Sequence, residues 1–121
     1  MTERRKELIR AYKDTPKQLG VYRVHNTING KSLVGAARDV RARLNRQLAE
    51  LKFGIHPNKT LLDDWRTFGK DAFVFETLDT LAPSNAPNYN PKEDLETLEA
   101  LWLEKLLPFG DAGYNEPGKH G

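Results

Sequence analysis

Two short runs of strand-forming residues, 21–25 and 31–35, stand on either side of Asn29-Gly30. Asn-Gly between such runs is a strong hairpin signal, because both residues tolerate the positive φ that a tight turn needs. The chain is thereby committed to an antiparallel hairpin, although the sequence leaves its register open. An isolated hairpin is marginally stable in water, so the rest of the chain must supply a surface to pack against it.

Helical patterns supply that surface. Residues 3–14 read as a helix, with Thr2 as N-cap, Leu8, Ile9 and Tyr12 on the packing side and Pro16 beyond the end. Residues 39–52 place Val40, Leu44, Leu48 and Leu51 on one face, and Gly54 follows. Asn58 can cap a shorter helix carrying Leu61, Leu62, Trp65 and Phe68, which Gly69 stops. A third strand runs over 73–78, with Phe73 and Phe75 on one face and Val74 on the other. After a proline-bearing loop at 82–90, Asn90-Pro91 supplies an N-cap and a proline at the first helical position of a last helix reaching about Leu107. The order α-β-β-α-α-β-α predicts an α+β fold, a small three-stranded antiparallel sheet flanked by helices. It forms a single domain over 1–121 with its core at about 19–115, and the tail at 117–121 is expected to fray.

Composition narrows the classes. A length of 121 residues suits one domain, and the absence of cysteine excludes disulfides and thiolate metal sites. No apolar run approaches the roughly 20 residues of a membrane span. The expected location is therefore the cytoplasm, with no membrane partner. Residues 1–60 hold 14 Lys and Arg against 5 Asp and Glu, whereas residues 61–121 hold 5 against 12. A basic half suits a polyanion such as nucleic acid; equally, the two halves can attract each other in the folded state. A protein-interaction domain whose two halves meet a partner is a third reading of the same asymmetry.

Glu99 is out of place. Leu95, Leu98, Trp102 and Leu106 form one stripe of the last helix, and Glu99 falls within it, while Glu96 and Glu104 lie outside. A carboxylate buried without compensation costs several kcal/mol. Glu99 therefore forms a structural salt bridge to an arginine, or it is a metal ligand or acid/base group. The second helix carries Arg38, Arg41, Arg43 and Arg46 within nine residues. Arg41 and Arg43 border its apolar stripe, Gln47 lies one turn beyond Arg43, and Arg46 points away toward solvent or phosphate. No Gly-x-Ser-x-Gly, phosphate loop, His-Glu-x-x-His or Gly-x-Gly-x-x-Gly motif occurs.

Gly20-Val21-Tyr22, Leu33-Val34-Gly35, Arg43 eight residues past Gly35, His56, Glu99 and Tyr114-Asn115 follow one another in an order and spacing that resemble the GIY-YIG nuclease family. The resemblance runs from about residue 19 to 115. It implies a metal-dependent endonuclease that hydrolyses phosphodiester bonds by in-line attack of water. Tyr22 would orient or deprotonate the water, Arg43 would hold the scissile phosphate, and Glu99 would hold one Mg²⁺ or Mn²⁺ ion. Asn115 would position groups near the metal, and His56 would touch the phosphate or assist proton transfer.

Nucleic acid, DNA before RNA, would be the partner, met by Lys31, Arg38, Arg41, Arg46 and Lys59, with a monomer or a homodimer both open. A tyrosine titrates near about 10, so as a base Tyr22 needs a positive neighbour, for which Lys31, Arg43 and the metal are candidates. Two residues depart from the family pattern. Leu33 replaces a tyrosine of the second motif, and Gln47 stands where histidine is frequent. The alternative is therefore a nucleic-acid-binding module that keeps the fold with weak or no catalysis.

Overall fold

The computed structural model describes residues 17–82, 87 and 90–116. The helix expected at 3–14, the tail at 117–121 and most of the proline-bearing loop lie outside the described residues. Within them the elements are β1 (Gly20–Asn26), β2 (Ser32–Ala37), α1 (Val40–Phe53), α2 (Lys59–Phe68), β3 (Phe73–Thr80) and α3 (Pro91–Leu106), with single 3-10 turns at Lys70–Ala72 and Gly110–Ala112. The sheet is antiparallel with order β2-β1-β3, so the hairpin's first strand is central and β2 is an edge.

Local chemistry sets the boundaries. Asp39, Asn58 and Asn90 each occupy an N-cap, accepting from the backbone N–H three residues on. Gly54 ends α1 in the left-handed region at φ 73°. The hairpin loop is fastened by Asn26: its carbonyl accepts from Gly30 N–H at 2.9 Å, and its side-chain oxygen accepts from Ile28 N–H at 2.9 Å. Gly30 takes φ 79° at that turn, which the Asn-Gly signal anticipates.

Alternation along β1 divides the core in two. Val21 points to one face, where α3 covers it with Leu98, Trp102, Leu103 and Leu106, alongside Val34 and Ala36 of β2. Tyr22 and Val24 point to the other, where α1 and α2 cover them with Val40, Leu51, Leu61 and Leu62. Phe73 and Phe75 join this second face and Val74 is exposed, as the strand pattern predicts. Phe68, expected on the packing side of α2, is exposed, because the helix ends at the next residue and its last turn overhangs the core.

The hairpin register, open in the sequence, is set in the fold. Tyr22 faces Gly35, while Leu33 faces Val24 two pairs along and packs into the apolar face beside it. Between Val21 and Tyr22 the β1–β3 ladder slips by one residue, a bulge that lies beside the Tyr22 position.

The outer edge of β2 would leave backbone groups unpaired. The C-terminal segment and α3 close it. Tyr114 N–H donates to Ser32 O at 2.8 Å, Asn115 binds both backbone groups of Val34, and the Glu99 carboxylate accepts from Ala36 N–H at 3.0 Å. Ser32, Val34 and Ala36 are the alternate residues whose backbone faces away from β1, so one row of outward groups is satisfied in sequence order.

Candidate active site

Tyr22 is the centre of the site. Its ring lies across Gly35: a Cβ built there would fall 2.6 Å from the Tyr22 hydroxyl oxygen and 2.8 Å from the ring carbon that bears it. The second-motif glycine is therefore the floor on which the tyrosine rests. The first-motif glycine has a different duty. A Cβ on Gly20 would meet the Asp79 carbonyl oxygen at 2.2 Å, so Gly20 permits the close strand approach at the bulge.

The hydroxyl is 5% exposed with its residue and is hydrogen-bonded from two directions on α1. Gln47 Nε2 donates to it at 3.3 Å, and Arg43 hydrogen-bonds it as well. Burial pushes the Tyr22 phenol above its ordinary value of 10.0, and the negative charge of Glu99 pushes the same way. The Arg43 charge and the hydrogen bonds from Arg43 and Gln47 oppose them without prevailing. Tyr22 is thus a neutral phenol at neutral pH. Of the two side-chain cations considered as its activator, Arg43 is the neighbour. Lys31 stands just before β2, four residues from Gly35, about 13 Å away at strand rise.

Glu99 reaches the site from the opposite side of the sheet. It is buried on α3, and its Oε2 accepts from Ala36 N–H, next to Gly35 at the β2 edge. A backbone N–H is a compensation that neither sequence reading of Glu99 contained. Among the described residues no group of three or more His, Cys, Asp or Glu is gathered for a metal. A single carboxylate nevertheless suits a hard cation such as Mg²⁺, which is held by one or two carboxylates and keeps several waters.

His56 is buried and stands behind Gln47. Its Nε2 hydrogen-bonds Gln47 Oε1, and its Nδ1 accepts from Asn58 N–H at 3.0 Å. Burial pushes the imidazole below its ordinary value, against the opposing charge of Glu50, so the ring is neutral at neutral pH. His56 therefore meets Tyr22 only through Gln47.

Asn115 is placed differently from expectation. Its amide nitrogen donates to Val34 O at 2.7 Å and its oxygen accepts from Val34 N–H at 2.8 Å. Both ends of the side chain are used in holding β2.

Among the expected nucleic-acid contacts, Arg38, Arg41 and Lys59 are exposed, at the start of α1 and of α2. Arg46 is exposed too, paired with Glu50 at 3.3 Å one turn on. Lys31 is half-buried at the hairpin turn. Two contributors were missed as site residues: Gln47, noted only as a departure from a histidine, and Asn58, read only as a cap. For Gln47 the signal was present, since a polar residue one turn past Arg43 on the inward side of α1 has the same anomaly as Glu99.

No family model matches the chain. Over 57 residues it is 39% identical to intron-associated endonuclease 1 of Enterobacteria phage T4, an alignment covering 47% of this chain and 22% of that protein. The chain thus spans about a fifth of the length of that relative. Among solved structures it is similar to the catalytic domain of intron endonuclease I-TevI in a mutant form, with a TM-score of 0.66 and 25% identity over 86% of this chain and 99% of that domain. A second structure, the catalytic domain of the homing endonuclease I-TevI, gives 0.64 and 25% over 80% and 96%. The three-stranded antiparallel sheet with its helices is the fold of that catalytic domain, the fold of the GIY-YIG nuclease type.

Proposed function

We propose that this GIY-YIG nuclease-type domain is an endonuclease that hydrolyses phosphodiester bonds of DNA with one divalent cation held at Glu99. One observation carries the reading: Tyr22, Arg43 and Glu99, from three separate elements, converge at the β2 edge above Gly35. A phenol, a guanidinium and a carboxylate together suit in-line hydrolysis at a phosphate. Arg43 holds non-bridging oxygens and offsets the charge that builds on them. Tyr22 orients the attacking water and takes its proton in the fraction that is ionised. A cation at Glu99, when bound, supplies Lewis-acid stabilisation of the leaving oxygen. The exposed Arg38, Arg41, Arg46 and Lys59 meet backbone phosphates alongside.

The test is incubation of purified protein with labelled single- and double-stranded DNA and RNA, with Mg²⁺, Mn²⁺ or EDTA. Metal-dependent cleavage of DNA is expected, lost in Arg43→Ala. Salt-sensitive binding without cleavage in either metal would make the domain a binding module. Cleavage that survives EDTA would remove the cation from the mechanism.

A further inference from the structure

We infer that Gln47 is a positioning residue that fixes the hydroxyl of Tyr22 through a relay starting at the N-terminus of α2. The relay runs Asn58 N–H to His56, His56 to Gln47, and Gln47 to Tyr22; its kinetic consequence rests on the nuclease reading above.

The direction of each bond follows from the first. Asn58 N–H donates to His56 Nδ1 at 3.0 Å, so Nδ1 carries no proton. A neutral imidazole then holds its proton on Nε2. That N–H faces one end of the Gln47 amide, and only the oxygen can accept it. The two ends of a glutamine side chain have nearly the same shape, and hydrogen-bond logic assigns them. With Oε1 turned to His56, the amide nitrogen is turned to the Tyr22 oxygen, where it lies at 3.3 Å.

The consequence falls on the tyrosine. Its oxygen receives donors from Gln47 and Arg43, so its own proton is the group left to offer to water or phosphate. A freely rotating hydroxyl is thereby set in one orientation.

Asn58 is itself held firmly. Its side-chain oxygen caps α2 by accepting from Leu61 N–H at 3.0 Å, and its side-chain nitrogen donates to Tyr114 O at 2.7 Å. Gln47 is 8% exposed and its amide cannot titrate, and burial holds the His56 imidazole below its ordinary value, so the relay keeps its sense at and above neutral pH.

Nitrogen-15 NMR of the full chain reads the His56 tautomer without reference to activity. The Nε2–H form is expected, and the Nδ1–H form would overturn the relay. Single-turnover cleavage and DNA affinity are then compared for three variants. Gln47→Leu removes the donor and is expected to slow cleavage roughly tenfold, the worth of one hydrogen bond, with affinity unchanged. Gln47→Glu keeps the shape but can only accept, and it should be slowed as much. Gln47→His, which can accept from His56 and donate to Tyr22, should recover most of the rate. A Gln47→Glu protein as fast as wild type would show that shape alone matters and would overturn the proposal. If the wild type cleaves nothing, the nuclease reading fails on its own. The relay is then judged by the Tyr22 Cζ resonance, which should move in Gln47→Leu and return in Gln47→His; an unmoved resonance would overturn it.

Discussion

The side-chain amide of Asn115 forms two hydrogen bonds with the backbone of a single residue, Val34, donating to its carbonyl at 2.7 Å and accepting from its N–H at 2.8 Å. The pair stands in for one rung of a further strand on the edge of β2. Asn115→Ala would leave both groups of a residue that is 2% exposed without partners. At about 1–3 kcal/mol for each unsatisfied buried group, a loss of several kcal/mol is expected in urea melts. Asn115→Asp keeps the acceptor alone and should fall between. A stable Asn115→Ala protein that has lost only its cleavage rate would instead place Asn115 at the chemistry.

Glu99 closes the next rung of the same edge, and this structural bond can be separated from the proposed cation binding. Glu99→Gln keeps an oxygen for Ala36 N–H while removing the charge. It should melt within a few degrees of wild type and lack the rise in melting temperature expected of the wild type in Mn²⁺. Glu99→Leu removes the acceptor as well and should cost a further 1–3 kcal/mol or so. A metal-induced rise that persists in Glu99→Gln would move the cation elsewhere.

Because burial and the Glu99 charge hold the Tyr22 phenol above 10.0, its ionised fraction grows about tenfold per pH unit through the neutral range. If Tyr22 takes the proton of the attacking water, the single-turnover rate should climb from pH 6 to about 9 without a plateau. Tyr22→Phe should be slower by about 10²–10⁴-fold, with that slope gone. A wild-type rate flat over this range would leave Tyr22 an orienting role only.

Gly35 has no φ reason to be glycine; its reason is the ring above it. A methyl group there would sit 2.6 Å from the Tyr22 hydroxyl oxygen. Gly35→Ala should displace the ring, destabilise the fold by about 1–3 kcal/mol and abolish cleavage. Repeating the substitution in a Tyr22→Ala background should remove most of the stability cost, since the clashing group is absent. An undiminished cost in that background would trace the requirement to the strand rather than the ring.

The strands of the sheet and the helices from Asp39 onward are legible in local sequence chemistry. Asp39, Asn58 and Asn90 are caps, Gly30 and Gly54 take positive φ, and apolar spacing marks the packing faces. All of these act between residues at most a few positions apart, so they are written in adjacent letters. The same periodicity exposed Glu99, because a charge inside an apolar stripe is visible without a fold. Motif order placed Tyr22, Arg43 and Glu99 in one group through resemblance.

Tertiary structure alone decided what each buried polar group holds. Asn115 lies 81 residues from Val34, and Glu99 lies 63 from Ala36. Their partners are backbone N–H and C=O groups, which nearly every residue carries, so no side-chain pattern could single out Val34 or Ala36. Gln47 is visible in the sequence as a polar residue on the inward side of α1, but only the fold puts its amide between His56 and Tyr22. Register decided the rest. The pairing that sets Tyr22 over Gly35 and Leu33 beside Val24, two pairs along, comes from the completed hairpin loop and the closed β2 edge, which exist only once the chain has folded.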